Sequence, residues 1–318
     1  MECRMVSEIS VVMPIYNERE SVAECIERLK KVFMGMHCRY EIICVDDGSS
    51  DGTTDILFRL ASVDNTIKVI QFRKNYGQTA AIAAGFNYAS GDIIVTLDAD
   101  LQNKPEDIPS LITLVQEGND VVCGWRKKRN DKLITRKIPS FIANKIISFV
   151  TGVRLHDYGC TLKAFKKKFI KEIELYGEMH RFLPALLGWN GAFITETEVE
   201  HAPRLHGKSK YGIFRTFKVI LDLITVKLLT HYSTSPIYMF GSIGFSLLLI
   251  GVIVFFIIAY RVFVLHHLES TPLVFIMVIL FLTAIQVVFV GLLAEINVRI
   301  FYETNNKKTF KIEKKINL

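Results

Sequence analysis

Leu97-Asp98-Ala99-Asp100-Leu101-Gln102 sets two carboxylates one residue apart, directly after the apolar run Ile93-Ile94-Val95. A run of that kind, opened by Gly91-Asp92 and ended by acidic side chains, reads as a buried strand of a parallel sheet. Asp98 and Asp100 then stand at or just beyond its carboxyl end, where open α/β sheets bind their ligands. Alternate side chains of an extended segment point the same way, so both carboxylates can face one divalent cation while Ala99 faces elsewhere. A hard cation held by few carboxylates and completed by phosphate oxygens suits Mg²⁺ or Mn²⁺. A solvated acidic turn has the same local pattern, so the assignment depends on what gathers around it.

Upstream, Ile9 to Pro14 is a short strand followed by Ile15-Tyr16-Asn17-Glu18, and Ser21 to Phe33 has apolar residues at helical spacing. The strand Glu41 to Val45 runs into Asp46-Asp47-Gly48-Ser49-Ser50-Asp51-Gly52-Thr53, with a helix from about Thr54. A third strand, Ile67 to Phe72, precedes Arg73 to Gln78 and the small-residue helix Thr79 to Tyr88. Strands alternating with helices predict an α/β fold: a mostly parallel, doubly wound sheet with Asn17-Glu18, Asp46-Asp47 and Asp98-x-Asp100 converging along one edge. Val121 to Trp125 reads as a further strand delivering Arg126 to that edge, and Phe193 to Val199 as another.

The chain has 318 residues, half of them hydrophobic, and a net charge of +7. The apolar excess is concentrated in Ile237 to Leu265 and Leu273 to Ala294, each long enough to cross the roughly 30 Å hydrocarbon layer as a helix. The connector from His266 to Pro272 has no Lys or Arg, whereas the tail has Lys307, Lys308, Lys311, Lys314 and Lys315. The positive-inside rule therefore predicts an integral membrane protein with two transmembrane helices, its N-terminal domain and both termini cytoplasmic. Met1 to Glu8 has no apolar stretch of the secretory kind. Cys3, Cys25, Cys38, Cys44, Cys123 and Cys160 have no zinc-type spacing and read as free thiols. No nucleic-acid motif accompanies the basic balance, and Lys and Arg beside membrane helices fit anionic lipid better.

Lys127, Lys128, Arg129, Lys132, Arg136 and Lys137 lead into Ile138, Phe141, Ile142, Ile146, Ile147 and Phe149, an amphipathic pattern expected at a membrane interface. Arg126 and Arg136, with Ser140 as an additional donor, are the candidates for a lipid phosphate, because arginine holds phosphate bidentately. Ile213 to Tyr232 has a second amphipathic pattern. The predicted division is 1–210 for the catalytic domain, 211–235 for an interfacial helix, 236–296 for a two-helix anchor and 297–318 for a basic tail.

Pro14-x-Tyr16-Asn17-Glu18, Asp46-Asp47-Gly48-Ser49-x-Asp51-Gly52-Thr53 and Asp98-Ala99-Asp100-Leu101-Gln102, in this order, resemble the inverting family 2 glycosyltransferases of GT-A fold. Asp98 to Gln102 with Pro105-Glu106 is similar to the branch of dolichyl- and undecaprenyl-phosphate sugar synthases. The resemblance implies a GDP- or UDP-hexose donor, a polyprenyl phosphate acceptor and transfer of one hexose with inversion. It implies that Asp98, Asp100 and Gln102 hold the metal. Pro14, Tyr16, Glu18, Asp46, Asp47, Gln78 and Asp98 would line the nucleotide-sugar slot. Arg204 and Lys208, in a segment similar to a mobile loop of the family, would neutralise the diphosphate. Asp157 matches the family's acidic residue opposite the metal, as base or as orienting group.

The alternatives are a processive polysaccharide synthase and a non-catalytic membrane scaffold or lipid-flipping protein. The first is disfavoured by the absence of Gln-x-x-Arg-Trp and by two spans only; the second by the intact Asp98, Asp100 and Asp157 and by spans without a polar path. A two-helix anchor is compatible with a homo-oligomer.

Overall fold

The opening apolar runs form β1 (Ile9–Ile15), β2 (Tyr40–Asp46), β3 (Ile67–Phe72) and β4 (Ile93–Thr96), with α1 (Val22–Met36), α2 (Thr53–Val63) and α3 (Gln78–Tyr88) between them. The computed structural model describes residues 8–127, 144–145, 147–148, 151–171, 173, 175, 179–202, 237–263, 272–304 and 310–318. By internal packing the chain divides into two units, Met1–Leu223 with Lys308–Leu318, and Ile224–Lys307.

The first unit is built on an eight-stranded sheet. Strands β1 to β4 are parallel, in the order β3-β2-β1-β4. Next to β4 the sheet changes character. After α4 (Ile108–Gln116) and β5 (Val121–Trp125), the short strand β6 (Lys163–Lys166) inserts antiparallel between β4 and β5, and β7 (Ile194–Glu198) adds parallel to β5. At the other edge β8 (Ile312–Ile316) pairs antiparallel with β3, from Val69 opposite Ile316 to Phe72 opposite Ile312. Neither β6 nor β8 was expected from the sequence. The segment read as a basic tail therefore contributes a strand to the eight-stranded sheet, and its lysines blunt an edge that would otherwise be open.

Successive strand residues face opposite layers. Val11 and Met13 pack with Val22, Ile26, Leu29 and Phe33 of α1, Leu57 of α2 and Leu111 of α4. Val12 points the other way, towards α3, where a Cβ on Gly85 would lie 2.2 Å from its Cγ1. Glycine at 85 is what lets α3 lie close against β1, and the flanking Ala80, Ala81 and Ala84 serve the same approach. Cys25, Cys44, Cys123 and Cys160 are buried free thiols, with Cys44 and Cys123 each pushed up to about 12 chiefly by burial, which leaves them unreactive.

The second unit contains α5 (Ile237–Phe263) and α6 (Pro272–Thr304), whose spans Met239–Phe263 and Pro272–Ala294 are long and apolar enough to cross a membrane. Most of each span is exposed, Phe245, Phe256, Phe275 and Phe289 among them, unlike the core helices of a soluble protein. Small residues mark where the two helices meet: Gly244 lies against Ala284 and Val288, and Ala284 is fully buried.

Candidate functional site

Parallel strands deliver their following loops to one sheet edge, and the loops after β1 and β2 are knitted there. Asn17 N–H donates to Ser49 Oγ (2.9 Å), Ser50 N–H to Asn17 Oδ1 (2.9 Å) and Glu18 N–H to Thr53 Oγ1 (3.1 Å). Asp46 is fully buried, accepting from Ser49 N–H (3.0 Å) and Thr54 Oγ1 (2.5 Å), so it forms the turn. Asp47 reaches across to the loop after β3 and accepts Tyr76 N–H (2.6 Å) and Gly77 N–H (2.9 Å). Burial raises its carboxyl above the ordinary range, while the two amides hold it down. Gly48 has φ 72°, and a Cβ there would meet the Lys74 backbone at 2.6 Å, so the two loops press together where only glycine fits. Glu18 accepts from Ser21 Oγ (2.9 Å) at the start of α1.

The loop after β4 lies at the middle of this edge. Ala99 is buried and Asp98 and Asp100 are half-buried, as an alternating segment requires. Leu101 then turns the chain at φ 59°, a left-handed conformation unusual for a residue of its size and held by burial of its side chain. Gln102 N–H folds back onto Asp100 Oδ1 (3.1 Å). Gln78 Nε2 donates to Asp98 Oδ1 (2.9 Å). Asp98 is pushed well above the carboxylate range, first by burial and then by the charge of Asp100, against the opposing pull of Thr161 and Lys163. The charge of Asp100 adds to the cost of ionising Asp98, and a divalent cation between the two carboxylates would relieve it. Among the described residues no cluster of three or more His, Cys, Asp or Glu side chains forms a ready-made cage.

The antiparallel return of β6 brings residues 157–163 to the same edge. Lys163 is buried, and its Nζ donates to the carbonyls of Cys160 and Tyr158 beneath the loop that starts at Asp157. A small void above it is lined by Pro14, Thr96, Asp98, Lys163 and His180. His180 is buried with Nδ1 2.6 Å from Thr79 Oγ1, a structural placement. The sequence reading missed Thr161 and Lys163; a lysine inside the otherwise apolar Leu162-Lys163-Ala164-Phe165 was the available signal.

Arg126 and Asp157 meet each other. Arg126 Nε lies 2.7 Å from Asp157 Oδ2 and Nη2 2.9 Å from Oδ1, a bidentate pair whose side chains are 9% and 4% exposed. Gly159 N–H also donates to Asp157 Oδ1 (3.1 Å). Beside the pair, Trp125 stacks on His156, ring centroids 4.3 Å apart. Arg136, Ser140, Arg204 and Lys208, and the two amphipathic segments of 138–149 and 213–232 in all but a few positions, lie outside the described residues.

Glycosyl transferase family 2 matches residues 10–174. The dodecaprenyl-phosphate galacturonate synthase of Rhizobium johnstonii is 41% identical over 300 residues, covering 93% of this chain and 89% of its own. An undecaprenyl-phosphate 4-deoxy-4-formamido-L-arabinose transferase of Pseudomonas syringae is 38% identical over 309 residues, covering 96% and 90%. In fold, the chain is similar to glucosyl-3-phosphoglycerate synthase from Mycobacterium tuberculosis, solved with Mn²⁺ and UDP, at TM-score 0.56 and 16% identity over 70% of this chain and 79% of that one. Mannosyl-3-phosphoglycerate synthase from Rubrobacter xylanophilus gives the same TM-score at 15% identity, covering 70% and 74%. A GT-A sheet with acidic loops gathered at the ends of β1, β2 and β4, a family model over half of the chain and two relatives matched over about nine-tenths of their length lead to one assignment: this chain belongs to glycosyl transferase family 2.

Proposed function

We propose that this glycosyltransferase moves a single sugar from a nucleoside diphosphate to a polyprenyl phosphate at the cytoplasmic face of a membrane, inverting the anomeric carbon. The observation that carries the reading is the convergence of Asp47, Asp98, Asp100 and the Arg126–Asp157 pair on one edge of one sheet. The acceptor class follows the relatives, whose names pair a prenyl phosphate with a sugar. Those sugars, a galacturonate and a 4-deoxy-4-formamido-arabinose, widen the donor set beyond the plain hexoses expected from sequence. Sheet strands precede and follow the hairpin, so an even number of spans keeps both on one side, and the lysines of the tail favour the cytoplasm.

In this reading Asp98 and Asp100, with Gln102, hold Mg²⁺ or Mn²⁺, which when bound supplies positive charge for the departing diphosphate. Gln78 and Thr161 orient Asp98, and Lys163 offsets part of its charge. Asp47 fixes the Tyr76-Gly77 amides at the wall of the nucleoside slot, with Pro14, Tyr16, Glu18 and Asp46 behind it. The attacking phosphate monoester has a second pKa of about 6 and needs little help to ionise. Asp157 therefore serves to orient: both of its oxygens engage Arg126 and so fix the plane of the guanidinium that in this reading meets the lipid phosphate. Arg136 and Ser140 add to the phosphate site, and Arg204 and Lys208 to the diphosphate. Catalysis is then largely positioning and charge stabilisation.

The test is the full-length protein in nanodiscs with Mg²⁺ or Mn²⁺, a short polyprenyl phosphate and a panel of UDP- and GDP-sugars that includes uronic acid and amino-sugar donors. Formation of a prenyl-phosphate sugar from one donor is the expected result. Absence of product across the panel would overturn the reading.

A further inference from the structure

The loop from Arg73 to Gly77 contains the two amides that Asp47 holds, and it is gripped from its other side by chain that follows the hairpin. Arg73 N–H donates to Lys311 O (3.3 Å), and Arg73 Nε pairs with Glu313 Oε2 (2.8 Å). Phe310 is buried, and its ring stacks on Phe72 with centroids 5.1 Å apart and planes at 20°. Tyr76 meets the same Phe72 edge-on, at 5.6 Å and 88°. Three aromatic rings in contact thus run from Phe310 through Phe72 to the residue whose amide lies 2.6 Å from Asp47. The β3–β8 pairing also shifts register between Gln71 and Phe72, so the rings rather than a regular ladder fix the end of β3.

We propose that Phe310 is a positioning residue for the donor nucleotide. By backing Phe72 it sets Tyr76, and Tyr76 with Gly77 sets Asp47 and the tight Gly48 turn. The segment after the hairpin thereby helps to shape the donor slot as well as covering the sheet edge. This rests on the donor assignment above, and the test separates the two.

Amide hydrogen exchange on the full-length protein without nucleotide reads the coupling directly. Phe310→Ala should speed exchange at Tyr76 and Gly77 about two- to tenfold, the range one aromatic pair supplies, with Met13 in β1 as an unchanged control. Phe310→Leu keeps an apolar side chain, removes the ring and should show the same loosening if the alanine variant does not fold; Phe310→Tyr should restore protection. In turnover assays the alanine or leucine variant should raise the donor KM by a similar factor, leaving kcat and the acceptor KM within about twofold. Unchanged exchange at Tyr76 and Gly77, or a fall in kcat with an unchanged donor KM, would overturn the proposal even if the parent enzyme transfers sugar. Failure of the parent to bind UDP or GDP, measured calorimetrically with Mn²⁺, would remove the donor assignment and the proposal with it.

Discussion

The two flanks of the sheet use their carboxylates differently. On the β1–β3 side Asp46, Asp47 and Asp51 accept from backbone amides and hydroxyls: Ser49 and Thr54, Tyr76 and Gly77, Arg19 N–H and Thr53. On the β5–β7 side Asp157, Asp120 and Glu196 each accept one backbone N–H as well, from Gly159, Phe193 and His156, but they add side-chain partners: Arg126 for Asp157, Lys166 for Asp120 and His156 for Glu196, with Lys127 on Glu198. Backbone donors cannot leave, so the first flank is a preformed wall. Arginine and lysine side chains can exchange partners, so the second can accept an anion in place of a carboxylate. Asp98 and Asp100 lie at the seam, where burial and the charge of Asp100 drive the Asp98 carboxyl up and where the proposed cation would bind.

The contrast fails first at the seam if it fails at all. Asp100→Asn should reduce transfer by about a hundredfold or more, since metal charge stabilisation is worth several kcal/mol. It should also weaken donor binding measured with Mn²⁺, and equal donor affinity in variant and parent would remove the metal assignment. On the cationic flank, Arg126→Met leaves Asp157 buried without its partner and should cost about 3–5 kcal/mol in unfolding followed by tryptophan fluorescence. The double variant Arg126→Met with Asp157→Leu should recover most of that stability without recovering turnover, which separates packing from phosphate binding. On the amide flank, Asp47→Asn replaces one accepting oxygen by a donor, and a donor KM raised about tenfold, or ~1.4 kcal/mol, with the acceptor KM unchanged, is expected.

The smallest effect belongs away from the site. Burial drives the Glu41 carboxyl up, but Lys68, Ser10 and the Ser90 amide outweigh it and hold the group below its ordinary range. A depressed folded-state value means that this stabilisation is fully present above the ordinary glutamate range and is lost as pH falls through the folded value. Glu41→Gln should therefore cost about 1 kcal/mol at neutral pH and flatten the acid limb of a stability profile. An acid limb as steep as the parent's would assign it to other carboxylates.

What was legible in the chain follows the same division. The parallel strands β1 to β4 are runs such as Ile42-Ile43-Cys44-Val45, apolar because both faces are covered, and their ends show the acidic motifs in sequence. Both spans could be read from length and hydropathy alone. Strand β6 could not, because Lys163 and Lys166 bracket only two apolar residues, and Lys163 is tolerated inside through the Cys160 and Tyr158 carbonyls and the charge of Asp98. Strand β8, Ile312-Glu313-Lys314-Lys315-Ile316, has the composition of a tail and becomes a strand only through β3. Arg126 and Asp157 were both singled out for chemistry, yet their pairing across 31 positions needed the return of β6 to become visible.

Strand β8 also has a bearing on biosynthesis. Until both apolar helices have left the ribosome, the hydrogen-bonding groups of β3 have no neighbour on that side, so the sheet is unfinished while the two candidate membrane spans are being made. A nascent domain in that state exposes a template for stray strands until β8 arrives to cover it.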